Sequence, residues 1–115
     1  MKKERQRYIL FKIIREQDIV FEQKEIINAI WHSIWRYFGM KEANKIGLWL
    51  IELNLEKGYG IIRCSHQTKY NIISALSLVS QISGKRVIFS PLKTSGTIKS
   101  MIRIKKLIMN KNKRT

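Results

Sequence analysis

The stretch from Lys45 to Ser65 leaves this chain few folds to choose from. Its first part, Ile46 Gly47 Leu48 Trp49 Leu50 Ile51 Glu52 Leu53, is an almost unbroken apolar run rich in β-branched and aromatic side chains, as expected of a strand covered on both faces. Its second part, Tyr59 to Ser65, reads as a second strand. Between them, Asn54 Leu55 Glu56 Lys57 Gly58 supplies a polar side chain and a glycine able to take positive φ, so a hairpin turning at Gly58 is expected. Alternation sets Tyr59, Ile61 and Arg63 on one face of the second strand and Gly60, Ile62 and Cys64 on the other. A guanidinium that pairs with phosphate thus stands beside a ring that stacks on bases.

The remaining elements fall into place around this hairpin. Arg7 to Arg15 alternates as a strand, with Ile9, Phe11 and Ile13 on one face and Tyr8, Leu10, Lys12 and Ile14 on the other; the face bearing Lys12 is expected to be open. Phe21 to Phe38 reads as a helix, with Ile26, Ile27, Ile30, Trp31, Ile34 and Phe38 at helical spacing and Gly39 as its stop. Trp35 lies at the margin of that stripe, where a partner would meet it. Thr68 to Ser83 reads as a second helix ended by Gly84, with Ile72, Ala75, Leu76, Val79 and Ile82 inward. Its other face carries Tyr70, Ile73 and Ser77 and almost no charge, the composition of a protein interface. Arg86 to Leu92 is a further strand, with Pro91 suited to an edge or a strand end. Residues 97–109 form a basic amphipathic helix, capped by Ser95, with Ile98, Met101, Ile102, Ile108 and Met109 on one side and Lys99, Arg103 and Lys106 on the other.

Strand, helix, strand, strand, helix, strand is the order of an α+β ferredoxin-like βαββαβ two-layer sandwich, here with an additional C-terminal helix across or beside the open face. The 115 residues suit a single domain, 1–115, with a basic arm at 1–6 and a basic tail at 110–115.

Charge decides the class of partner. The formal net charge is +15, and every acid lies at or before Glu56, so residues 57–115 carry thirteen Lys or Arg and no carboxylate. A solvated surface normally mixes signs, and a half-chain without acids calls for a polyanion, with nucleic acid ahead of an acidic protein or a membrane. Arg7, Lys12, Lys57, Tyr59, Arg63, Arg86, Lys93, Lys99, Arg103 and Lys106 are the candidate RNA contacts. One cysteine permits no internal disulfide and fits a reducing compartment, and no apolar stretch reaches the roughly 18 residues of a span. A soluble, cytoplasmic protein without a membrane partner is expected.

Catalytic constellations are weak. Cys64 and His66 have the spacing of a thiol and base, but a lone cysteine in an apolar strand is ordinarily a small buried hydrophobe. His32 has no companion ligand, and two histidines, one cysteine and one aspartate do not make a zinc site. A two-metal nuclease needs clustered carboxylates, and only Glu52 and Glu56 flank the hairpin. Lys57 Gly58 Tyr59 Gly60 resembles the opening of an RNA-recognition motif signature, but Ile61 and Cys64 stand where that signature has aromatics, leaving Tyr59 alone to stack. An RNA-recognition-like or ribosomal RNA-binding module unconnected with tRNA processing is the alternative reading.

A closer resemblance spans nearly the whole chain. Arg7 Tyr8 Ile9 Leu10 Phe11 Lys12, Gly47 Leu48 Trp49 Leu50 Ile51 Glu52, Gly60 Ile61 Ile62 Arg63 Cys64 Ser65 and Ser95 Gly96 Thr97 Ile98 Lys99, in that order, are similar to archaeal ribonuclease P protein component 2, a family shared with a eukaryotic ribonuclease P and MRP subunit. The resemblance implies a subunit of the ribonucleoprotein endonuclease that removes the 5′ leader from precursor tRNA. It also implies a site on the catalytic domain of the ribonuclease P RNA, where RNA and Mg²⁺ perform the hydrolysis and this chain binds no cofactor. The partners it implies are ribonuclease P protein component 3, in a two-plus-two assembly, and other ribonuclease P proteins, with precursor tRNA the substrate of the complex.

Overall fold

The computed structural model describes residues 5–16 and 18–113, with the side chains of all these except 40–46 and 109–113. The first part of the basic arm, the end of the tail and the side chain of Met109 lie outside the described residues. The elements are β1 (Gln6–Arg15), α1 (Gln23–Ile46), β2 (Trp49–Asn54), β3 (Tyr59–Ser65), α2 (Lys69–Leu78), β4 (Gln81–Ile82), β5 (Lys85–Ser95) and α3 (Ile98–Lys113). The sheet order is β2-β3-β1-β5-β4, antiparallel throughout, so the ferredoxin-like core carries β4 as an extra edge.

β1 is central because both its faces are apolar where they must be. Ile9, Phe11 and Ile13 meet Ile62 and Cys64 of β3, Val87 and Phe89 of β5, and the inward stripes of α1 and α2, while Leu10 points the other way to Tyr59, Ile61 and Met101. Phe11 packs edge-on against Phe89 at 5.6 Å and lies over Gly60, where a Cβ would come within 2.6 Å of its ring. A ring directly across the ladder therefore covers the bare backbone of β3. Each such fully buried ring or branched side chain contributes about 1.5–3 kcal/mol.

The start of α1 is set locally: the backbone N–H of Glu22 donates to Glu25 Oε1 at 3.1 Å, and Phe21 is buried in the same cluster as Ile26. α1 and α2 are joined by the Ser33 hydroxyl, which donates to the carbonyl of Ala75 at 2.7 Å. The β2–β3 turn closes as expected, with Gly58 at φ 74, its N–H donating to Asn54 O at 2.9 Å and the Asn54 side chain accepting from Lys57 N at 2.9 Å.

Several expectations are corrected. The helix break at Gly39 occurs, at φ 82 and ψ 168, but helical geometry resumes beyond it and ends at Ile46, with Gly47 in the left-handed region at φ 61. The following apolar run is therefore shortened to β2, and it is an edge strand, not one covered on both faces: Trp49 is 62% and Ile51 36% exposed. A bulge at Ile51 interrupts its pairing with β3, which blunts the free edge.

The second helix stops at Leu78, since Ser83 (φ 52) and Gly84 (φ 78) form the turn of a small hairpin that pairs Gln81 with Arg86 and Ile82 with Lys85. β5 runs through Pro91 to Ser95, because the register with β1 shifts there and the missing N–H falls at an irregularity. Ser100 N donates to the Thr97 side chain at 3.2 Å, so Thr97 is the cap of α3, while the Ser95 hydroxyl accepts from Thr97 N at 3.3 Å.

α3 lies on the sheet face opposite α1 and α2. Met101 is fully buried there, with Ile104 and Ile108 beside it, whereas Ile98 and Ile102, expected inward, face out. Its hold is extended by Lys105 Nζ, which donates to Glu52 Oε2 of β2 at 2.9 Å, the one ion pair among the described residues. The face expected to be open is thus covered at Leu10, Tyr59 and Ile61 and left open at Trp49 and Lys93 and where Lys12, Ile14 and Ile88 emerge. No described helix is long and apolar enough to cross a membrane.

Candidate nucleic-acid interface

The register sorts the basic residues by position along the strands. At the end of the sheet where β1 begins, Trp49 of β2, Arg63 of β3 and Tyr8 of β1 lie side by side on one face. The Arg63 guanidinium stacks over the Trp49 ring at 6.0 Å, and its Nε is shielded from solvent without a hydrogen-bond partner. Around the same end, His66 N donates to Arg5 O at 2.7 Å, and Arg7 reaches the loop at Gly96, where a Cβ would stand 3.3 Å from its Nη1. Lys69 Nζ lies 4.7 Å from the centre of the Tyr70 ring.

This end is electropositive in a way the imidazole registers: Arg7, slight desolvation, Lys69 and Arg5 together hold the His66 pKa below its ordinary 6.5. The described carboxylates lie elsewhere. Glu16 and Asp18 follow β1 at its far end, Glu22 and Glu25 begin α1, Glu56 is in the β2–β3 turn, and Glu52 is bound by Lys105.

The ten candidate RNA contacts divide into groups. Arg7 and Arg63 belong to the end just described. Lys99, Arg103 and Lys106 are exposed on the outer side of α3, and Lys93 is exposed on β5 opposite Leu10. Lys12, Lys57 and Arg86 sit at or toward the opposite end of the sheet. Tyr59 shares a face with Arg63 as expected, but it is only 5% exposed, beneath Met101 and with Lys105 Nζ at 5.5 Å from its ring, so it offers bases no open surface.

Arg5, His66, Lys69 and Trp49 are the members of the cluster that sequence patterning leaves out. Lys69 stands out in the sequence only as the lone charge on the second helix, and Trp49 reads as a core residue because its neighbours are apolar.

The candidate protein-contact residues also separate. Trp35 is 42% exposed beside Trp31 and His32, with ring centres 5.9 and 5.8 Å away. Ser77 is exposed, its hydroxyl donating to Ile73 O at 3.0 Å, while Ile73 packs against the core. Tyr70 is 72% exposed, in the first turn of α2 next to Lys69. A shallow groove of about 700 Å³, lined among others by Asn28, His32, Arg36 and Leu78, runs along α1 beside the end of α2.

Nothing assembles a reaction centre from Cys64 and His66. The thiol is buried in the core, which pushes its pKa up to about 11, while the imidazole is in the solvent-facing turn His66–Thr68. Among the described residues no three His, Cys, Asp or Glu side chains stand close enough to hold a metal ion. The arrangement is suited to binding a polyanion across the basic residues at this end of the sheet and a basic helix.

Comparison with known proteins agrees with this architecture. The chain is 40% identical over 101 residues to ribonuclease P protein component 2 of Pyrococcus furiosus, covering 88% of this chain and 82% of that one. It is 31% identical over 112 residues to the protein of the same name from Methanocaldococcus jannaschii, covering 97% and 80%. In three dimensions it resembles a chain in the cryo-EM structure of yeast ribonuclease MRP, with a TM-score of 0.69 at 16% identity over 99% of this chain and 96% of that one. The model of the Rpp14/Pop5 family matches residues 7–104, nearly the whole described sheet and its helices, and the chain belongs to that family.

Proposed function

We propose that this protein is a protein subunit of ribonuclease P, acting in the cytoplasm on the RNA of the ribonucleoprotein that removes the 5′ leader from precursor tRNA. The observation that carries this reading is the family match over residues 7–104 on a chain whose second half contains no acid. Its part is to bind and support the catalytic domain of the RNA. Basic side chains there replace some of the cation atmosphere that a folded RNA otherwise draws from solution. Cleavage belongs to the RNA with its own Mg²⁺. Ribonuclease P protein component 3, in a two-plus-two assembly, is the proposed protein partner, and the uncharged outer face of α2 at Ser74, Ser77 and Leu78 is the proposed contact. The RNA-recognition-like alternative loses its one stacking residue to the burial of Tyr59.

Single-turnover cleavage of precursor tRNA, with each component omitted in turn, tests the proposal. The purified protein alone should not cleave with or without Mg²⁺, while its addition to the RNA together with component 3 should raise the rate and lower the Mg²⁺ required. Activity that survives removal of the RNA but not of this protein would overturn it.

A further inference from the structure

Trp49 is out of place by the usual rules: a large indole 62% exposed at the outset of an edge strand, when Leu50 and Leu53 of the same strand are drawn toward the core. Its surroundings differ from those of Trp35, which is exposed but rests beside Trp31 and His32. Trp49 touches a cation instead, the half-buried Arg63 at 6.0 Å. No described carboxylate pairs with that guanidinium, so its charge is uncompensated within the fold. Arg7 and Lys69 lie at the same end of the sheet but on its other face, beside Cys64.

Building on the RNA-binding reading above, we infer that Trp49 and Arg63 form a stacking site for an unpaired nucleobase of a single strand. A guanidinium on one face of an indole leaves the other face for a base, and every base has a π face, so such a site is tolerant of sequence. Bases inside an A-form duplex are hidden in their stack, and a lone indole takes only a base that is splayed out. The substrate class is therefore unpaired RNA, not helix. The position sheet-binding RNA modules use for stacking is closed here by α3 over Tyr59, and the edge strand is where an aromatic ring remains open.

The test uses the full-length protein with a short single-stranded oligouridine and a blunt RNA duplex of equal length. The single strand should quench tryptophan fluorescence, and Trp49→Ala should abolish that quench and weaken single-strand binding by roughly fivefold to a hundredfold. Duplex binding and the salt dependence should not change, because no ion contact is removed. Trp49→Tyr should restore most of the single-strand affinity, and circular dichroism should be preserved in both variants. Single-strand affinity unchanged in a folded Trp49→Ala protein would overturn the site while leaving RNA binding in place. So would equal weakening of both RNAs, or a loss confined to association with component 3. Failure of the wild-type protein to bind either RNA would instead overturn the RNA-binding reading itself.

Discussion

At the scale of single residues, two positions are dictated by what lies across the sheet. Gly60 exists because Phe11 occupies the space above it, with ring carbons 2.6 and 2.8 Å from where a Cβ would stand. Gly60→Ala should therefore lower stability by about 1–3 kcal/mol, as overpacking does. An unchanged denaturation midpoint would show that the ring moves freely. Cys64 is the second. Burial raises its pKa from 9.0 to about 11, against the opposing pull of Lys69 and Arg7. At pH 8 the native thiol should resist iodoacetamide and react only on unfolding, since the thiolate is the reacting form. As pH rises from about 9 toward 11 the unfolded chain gives up this proton first, so stability should fall through that window. Rapid native labelling at pH 8 would contradict this.

At the scale of elements, α3 and α2 face different tests. α3 is held chiefly by Met101, fully buried over Leu10, Tyr59 and Ile61. Met101→Ala should cost about 2–5 kcal/mol and raise hydrogen exchange throughout the helix. The Glu52–Lys105 pair, with the Glu52 side chain 39% exposed, is worth under about 1 kcal/mol, so Glu52→Gln should barely move the midpoint. If Glu52→Gln frees the helix and Met101→Ala does not, charge and not packing holds α3. On α2, Ser77 is exposed and its hydroxyl donates to the helix's own Ile73 carbonyl. Ser77→Glu should keep the fold and, on the proposed assembly, weaken association with component 3 by placing a charge in a desolvated contact. Equal affinity by calorimetry would move the interface to the α1 groove and Trp35.

At the scale of the whole molecule, the candidate RNA contacts fall on separate parts of the fold: Arg7 and Arg63 at the end of the sheet where β1 begins, Lys99 and Arg103 one helical turn apart on α3, and Lys57 and Arg86 at the opposite end. Replacing Arg63, Lys99 or Arg103 by Ala should flatten the dependence of log affinity on log salt by about one unit or less each. Lys57 and Arg86, at the far end among Glu16, Asp18 and Glu56, should matter less. The reverse ranking, in the same titrations, would put the RNA on the β2–β3 turn.

Much of this protein was legible in residue order, because strand alternation, helical period and capping act over a few neighbours. The order of the ferredoxin-like elements, the faces of β1 and β3, the Gly58 turn and the break at Gly39 all follow from such local rules. What depended on distant partners did not. Ile82 fits the period of α2, but pairing with β5 outweighs one more helical turn. The run around Trp49 reads as core, and only the sheet order puts it at an edge. Ile102 and Ile104 are equally apolar, and the sheet beneath α3 decides which is buried. Tyr59 is closed by that same helix. Arg5 and Arg7 at the start of β1, Arg63 of β3 and Lys69 of α2 are distant in sequence, and only the fold brings them to one end of the sheet. The excess of positive charge is written in the composition, whereas its division between the Arg63 end of the sheet, the outer side of α3 and the far end is a property of the fold.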